Sequence, residues 1–317
     1  MLGYRPIHSS SSNDSYPGRT GVSTRRRPAP DAAMFTCLLP LAPAAQIQSQ
    51  GPAPTLPPQA DALLKAKDWA GLADWFETVP PATRGAFYEQ WLQSLNRCQR
   101  WDRLLVVCEA LQPQLEAKSG PRLGTYRLYR AQALSQLGRH SEAARIHAEN
   151  GGLGYGPGFI SACTEARLAQ DWTILLAAAE ALLAQKGEGA DGLAWKGEAL
   201  ARMGRLDEAE PLLRAALAKD PKLAYAWNNL GRCLNEKKAW AEASDSLDKA
   251  LGLEPNQLEA LFNRGRCRFE LKRYQESRDD FRAALALQPD NAVLAENLRQ
   301  AERYAALPTG KATAKKR

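Results

Sequence analysis

Between residues 190 and 291 one pattern returns three times at an interval of 34, and no other property of the chain limits its fold so tightly. Gly197, Gly231 and Gly265 keep that step, as do Ala216, Ala250 and Ala284, and Pro221, Pro255 and Pro289. Leu206, Trp240 and Tyr274 fill a fourth column with a large apolar residue. Ala209, Ala243 and Ser277 fill a fifth with a small one. Five columns in register make this an internal repeat.

The columns have a physical logic. The middle copy reads as two helices, Leu223 to Lys237 around the glycine and Trp240 to Leu253 ending before the proline. Glycine within a helix costs roughly 0.5–1 kcal/mol relative to alanine. Accepting that cost three times implies a bare backbone where a second helix approaches closely. Proline cannot continue the helix it follows and biases the preceding residue away from helical angles. One helical hairpin cannot bury both faces, so the units are expected to stack.

Trp227, Leu230, Gly231, Leu234, Ala243, Leu247, Ala250 and Pro255 together resemble the tetratricopeptide repeat (TPR) signature. The flanking copies match most of it, departing at Lys196 and Arg264 in a leucine column and at Arg268. The resemblance implies an all-α fold, an α-α superhelix of antiparallel helix pairs whose concave surface binds proteins or peptides.

The remaining chain divides by composition. Residues 1–58 read as a disordered leader ending in a Pro/Gln linker, 59–189 as divergent helical hairpins and 190–291 as three regular units. Residues 292–307 read as a capping helix with Val293, Leu294, Leu298, Ala301 and Tyr304 on one side, and 308–317 as a basic tail. In the divergent part, Ala60 to Val79, Phe87 to Leu111, Tyr126 to Asn150 and Phe159 to Lys186 each trace a hairpin. Pro80-Pro81, Gly120-Pro121 and Gly187 to Gly189 read as connections, and Pro211 as lying early in its helix.

The net charge of +7 invites a nucleic-acid reading, and its location removes that reading from the folded body. Residues 1–52 carry +3 and 308–317 carry +4, which leaves 53–307 neutral. Arg25 to Arg27, the apolar stretch from Ala32 and the small residues at 42–45 resemble a secretory signal over residues 25–45, interrupted by Pro28, Pro30, Asp31 and Pro40. Export to the periplasm or medium follows if that segment acts as a signal, and a cytoplasmic setting otherwise. No run of about 18 apolar residues offers a membrane span.

Candidate chemistry is sparse. Cys233 and Cys267 share a column that Ala199 fills in the preceding unit, so both read as small buried residues. His140 and His147 fall in columns held by bulky residues, and no Cys/His spacing suits a metal. The run from Gly151 to Gly158 lacks a preceding strand and a Walker lysine, and reads as a flexible joint between the divergent and regular halves. No cofactor is expected.

Family geometry points Asp191, Ala194, Trp195, Glu198 and Arg202 inward from the first unit. It does the same for Tyr225, Asn228, Asn229, Arg232 and Asn235, and for Glu259, Phe262, Asn263, Arg266 and Phe269. Asn228, Asn229, Arg232, Asn263 and Arg266 would gather donors for a peptide backbone or carboxylate, with Tyr225, Phe262 and Phe269 as aromatic anchors. An ordinary solvated polar groove accounts for the same columns equally well. The family's clamp for a C-terminal carboxylate pairs lysine and asparagine columns. Here Asn229 and Asn263 keep the asparagines, while Ala194 and Glu259 replace the lysines. The expected role is a non-catalytic scaffold for a protein or peptide partner, with bacterial envelope assembly or secretion as its setting if the leader is a signal. Rival readings are an enzyme or enzyme subunit with its site in residues 59–189, or a nucleic-acid-associated protein using the basic tail.

Overall fold

The computed structural model describes residues 55–116, 121–154 and 157–307. The leader with segment 25–45, most of the Pro/Gln linker, Gly120 and the basic tail lie outside them. The described residues form sixteen helices and no strand, so the chain is all-α as its repeat requires. They divide after Gly187 into two compact units.

The first unit holds α1 (Pro58–Lys65), α2 (Trp69–Thr78), α3 (Pro81–Ala86), α4 (Tyr88–Arg97), α5 (Trp101–Glu116), α6 (Pro121–Gln136), α7 (His140–Gly152), α8 (Gly158–Ala169) and α9 (Trp172–Lys186). Phe76 stacks on Trp91 at a 6.1 Å centroid separation in its core, among Leu72, Leu92, Leu95 and Leu104. The second unit holds α10 (Ala190–Arg202), α11 (Leu206–Lys219), α12 (Ala224–Glu236), α13 (Trp240–Leu253), α14 (Leu258–Glu270), α15 (Tyr274–Leu287) and α16 (Ala292–Ala305).

Seven turns share one backbone device. Lys67, Gln99, Gly138, Gln170, Gly204, Lys238 and Lys272 each have positive φ, and each lies two residues before the second helix of a hairpin. The next residue donates its N–H five residues back, from Asp68 to Leu63 through Arg273 to Arg268, at 2.8–3.0 Å. This is the six-to-one bond of a Schellman ending, which satisfies carbonyls the helix leaves open. The five non-glycine residues accept a left-handed conformation that costs roughly 1–2 kcal/mol each. The turns therefore count seven hairpins, four in the first unit and three in the second. Their spacing runs 32, 39 and 32 before settling at 34 from Gln170 onward.

The glycine column has a more specific partner than helix backbone. A Cβ on Gly197 would lie 2.7 Å from Leu213 Cγ, on Gly231 2.5 Å from Leu247 Cγ, and on Gly265 2.8 Å from a ring carbon of Phe281. Each glycine is a socket for one side chain of the second helix in its own hairpin. The bare backbone expected where a second helix approaches is thus filled by a side chain of that helix rather than met by its backbone. The small column lies opposite: Ala209 and Ala243 are fully buried, and Ser277 Oγ donates to the Gly265 carbonyl at 2.8 Å. Leu206, Trp240 and Tyr274, the column of large apolar residues, are only half-buried.

Other sequence expectations shift in detail. Pro81 and Pro121 open α3 and α6 rather than lying in connections, as suits a residue with no N–H to satisfy. Pro211 is the sixth residue of α11, past the turn where a missing N–H is free. Gly151 and Gly158 are not a loose joint. A Cβ on Gly158 would fall 2.3 Å from the Gly151 backbone nitrogen, so both serve close packing of α7 on α8. The five described cysteines are free thiols. On α16, Leu294, Asn297 and Ala301 form the buried side, while Val293 is exposed.

The third repeat replaces two leucines by an ionic network. Arg264 and Arg268 stand where the middle repeat has Leu230 and Leu234, and both bond Asp280, which stands where it has Ser246. Arg264 Nη2 reaches Asp280 Oδ1 at 2.6 Å, Arg268 Nη1 reaches its Oδ2 at 2.9 Å, and Asp248 accepts from both arginines. Burial pushes the Asp280 carboxyl above its ordinary range, against the pull of the two guanidiniums.

Two stability outcomes follow. Gly231→Ala should gain about 1 kcal/mol of helix propensity but lose about 1–3 kcal/mol to crowding at Leu247, a net loss of up to about 2 kcal/mol in urea denaturation; a gain would contradict the socket. Asp280→Ser alone should cost about 3–5 kcal/mol, because two cations lose a buried counter-charge. The triple change Arg264→Leu/Arg268→Leu/Asp280→Ser, which restores the middle repeat, should melt no lower than the parent.

Candidate functional site

Helix α12 has two unlike sides. Gly231 faces Leu247, and Cys233 Sγ lies 3.5 Å from the Leu206 carbonyl, so that side meets the second helices α13 and α11. Tyr225, Asn228, Asn229, Arg232, Asn235 and Glu236 recur at three- and four-residue steps on the other. That inner side has the first helices of the adjoining repeats, α10 and α14, for neighbours. Tyr225 donates its hydroxyl to Asp191 of α10 at 2.7 Å. Asn228 Nδ2 donates to Glu259 Oε2 of α14 at 3.4 Å. Arg266 Nη1 of α14 lies 3.6 Å from Glu236 Oε1.

One ion pair crosses the whole inner face. Arg202, in the last turn of α10, donates from Nη2 to Glu259 Oε2 in the first turn of α14 at 3.1 Å. The partners belong to the first and third repeats, and the carboxylate they share with Asn228 lies over the middle one.

Beneath this brace the polar side chains are buried and under-satisfied. Asn228, Asn229, Arg232, Asn235 and Asn263 are 5%, 2%, 3%, 1% and 0% exposed. Asn228 Oδ1, Asn229 Oδ1, Arg232 Nε and Nη2, and both amide heteroatoms of Asn235 and Asn263 find no hydrogen-bond partner among the described residues. Nor does any described carboxylate lie within ion-pair distance of Arg232. Native interiors leave few such atoms, and a buried cation without a counter-charge is the most costly kind.

The structure thus gathers Tyr225, Asn228, Asn229, Arg232, Asn263 and Arg266 on one face, where the columns put them. It treats the two phenylalanines differently. Phe262 is buried with its ring 6.0 Å from Phe281, and the Arg266 guanidinium covers it at 5.9 Å. Phe269 packs edge-on to Tyr274 and to Tyr304 of α16, 5.2 Å from each. Neither ring presents an open face to a partner. Sequence columns gave no sign of the Arg202–Glu259 brace, whose only signal is opposite charge at two inward positions 57 residues apart.

The family-model matches fall mainly on this part of the chain. One sequence model of the tetratricopeptide repeat matches residues 169–224 and 196–257, and a second matches 258–291. The repeats over residues 169–291 are tetratricopeptide repeats. Among solved structures, a thermophilic TPR protein of Thermus thermophilus is similar at 19% identity over 57% of this chain and 99% of its own, with a TM-score of 0.46. The first TPR domain of human RPAP3 is 26% identical over 37% of this chain and 92% of its own, with a TM-score of 0.35. The Arabidopsis OM64 TPR domain is 24% identical over 36% and 94%, with a TM-score of 0.35. No curated protein matches.

The first unit, where a rival catalytic site was placed, offers one histidine–carboxylate contact. His140 Nδ1 lies 2.8 Å from Glu165 Oε2, and Ser135 Oγ donates to the other oxygen of the same carboxylate at 2.9 Å. The carboxylate sits between serine and histidine, so the imidazole does not address the hydroxyl as a general base would. Burial pushes the thiols of Cys108 and Cys267 up to about 12 and of Cys233 to about 11, the reverse of nucleophile activation. Among the described residues no three His, Cys, Asp or Glu side chains could hold a metal ion, and no helix is long and apolar enough to cross a membrane.

Phe269 is therefore expected to act through stability. Phe269→Ala should cost about 3–5 kcal/mol and loosen α16, read as faster amide exchange over residues 292–305 in hydrogen-exchange mass spectrometry. Unchanged exchange there would show the ring is not what holds that helix.

Proposed function

We propose that this chain is a protein-interaction scaffold without chemistry of its own, and that it seats an extended peptide segment on the inner face of α10, α12 and α14. One observation carries the reading: five side chains nine-tenths buried on that face hold hydrogen-bonding atoms that the described chain leaves unpaired. Carboxamides are donors and acceptors at once, so four asparagines can pair with the alternating N–H and C=O groups of an extended backbone whatever its side chains. The TPR family matched over residues 169–291 supports the same role. With Phe262 and Phe269 packed away, Tyr225 is the half-exposed aromatic left on this face for apolar contact. An envelope or secretory setting rests on residues 25–45 alone, and intact-mass measurement of the mature chain would read whether they are removed.

The test is selection of displayed random peptides on the full chain, run beside an Asn229→Ala/Arg232→Ala/Arg266→Ala variant whose melting curve is checked first. Peptides enriched by the parent and lost by at least tenfold with the variant are the expected result. Enrichment of the same peptides by both proteins would move binding off the inner face.

A further inference from the structure

Arg232 carries a full positive charge, is 3% exposed, and has no anionic group within ion-pair distance among the described residues. The guanidinium stays charged in any protein environment, so it cannot relieve its burial by losing a proton. A site with that property is complete only when an anion reaches it. One turn earlier on the same helix face, Asn228 shares Glu259 with Arg202. Glu259, the carboxylate that Asn228 reaches, is thus spent on a brace between the first and third repeats. That brace is only partly shielded, Glu259 keeping 32% of its side-chain surface in solvent against 11% for Arg202. An exposed glutamate holding a buried arginine is the replaceable half of such a pair.

Resting on the peptide-scaffold reading above, we propose that the Arg202–Glu259 ion pair is a gate. An internal acidic side chain of the partner displaces Glu259 and its carboxylate settles between Arg202 and Arg232. The exchange is one carboxylate for another on Arg202, with Glu259 released to water and Arg232 acquiring the counter-charge it lacks. The feature read is a glutamate or aspartate within the partner chain, not a chain end. Charge complementarity decides this occupant, because a basic segment would bring further cations against a buried one.

The probe is a set of N-acetylated, C-amidated dodecapeptide pools, randomised except for one central position fixed as Glu, Gln or Lys, so that no terminal carboxylate is present. Retention is measured on the full chain at low and high salt. The Glu pool should be held about tenfold or more above the Gln pool, with the Lys pool weakest and the difference shrinking as salt rises. Arg232→Gln should abolish the preference for Glu, and Arg232→Lys, which keeps the charge, should retain it at lower affinity if the first variant melts early. Glu259→Gln opens the gate and should raise retention of the Glu pool several-fold. Equal retention of the three pools, preference for Lys, or weaker binding with Glu259→Gln would each overturn the gate while leaving peptide binding intact. If no pool is held above an Asn229→Ala/Asn263→Ala variant, the scaffold reading itself falls.

Discussion

Each regular hairpin turns on one missing side chain. Leu213, Leu247 or Phe281 drops into the place a Cβ would take on Gly197, Gly231 or Gly265, and this fixes the separation and rotation of two helices. The rotation matters as much as the distance. A first helix that shows its glycine to the second helix must turn the opposite side toward the first helices of adjoining repeats. The polar face of α12 follows from that constraint. Asn228, Asn229, Arg232 and Asn235 are where they are because Gly231, Leu230 and Leu234 are needed on the other side.

The third repeat shows how much of this geometry is shape and how little is chemistry. Two leucines become arginines, a serine becomes an aspartate, and the hairpin keeps the same turn at Lys272 and the same socket at Gly265. The exchange works because Asp280 and Asp248 supply counter-charges that leave both guanidiniums bonded. Arg232, in the middle repeat, is buried more deeply than either and has no such compensation. Two half-buried guanidiniums with partners beside a buried one without set Arg232 apart within the second unit.

Periodicity made the regular half legible: helix boundaries at 224–236 and 240–253 and the buried alanine columns follow from a step of 34, and the inward asparagines from the family geometry it resembles. The column of left-handed turns was not legible, because lysine and glutamine fill five of its seven places and no residue type marks it. The direction of Phe262 and Phe269 was lost for a related reason. A column says which way a Cα–Cβ bond points, whereas a large ring bends into whatever space its neighbours leave, here beside Phe281 and under Tyr304. The glycines from 151 to 158 look like a hinge by composition, and only the packing of α7 on α8 shows that two of them serve close contact. The Arg202–Glu259 brace joins repeats that are not sequence neighbours, so no local pattern announces it.

Marginal stability sets a limit on what an unoccupied inner face can hold. A domain keeps only about 5–15 kcal/mol in hand, and each buried polar group without a partner costs about 1–3 kcal/mol. Five such side chains on one face would consume that margin unless the sockets and alanine columns behind them supply an excess. The 34-residue stack adds to that reserve, since each regular hairpin repeats the glycine socket and the buried alanine column. Repetition therefore does more than build length. It lets one helix carry an under-satisfied polar surface that a small isolated domain could not keep folded, a cost that the peptide proposed above would relieve.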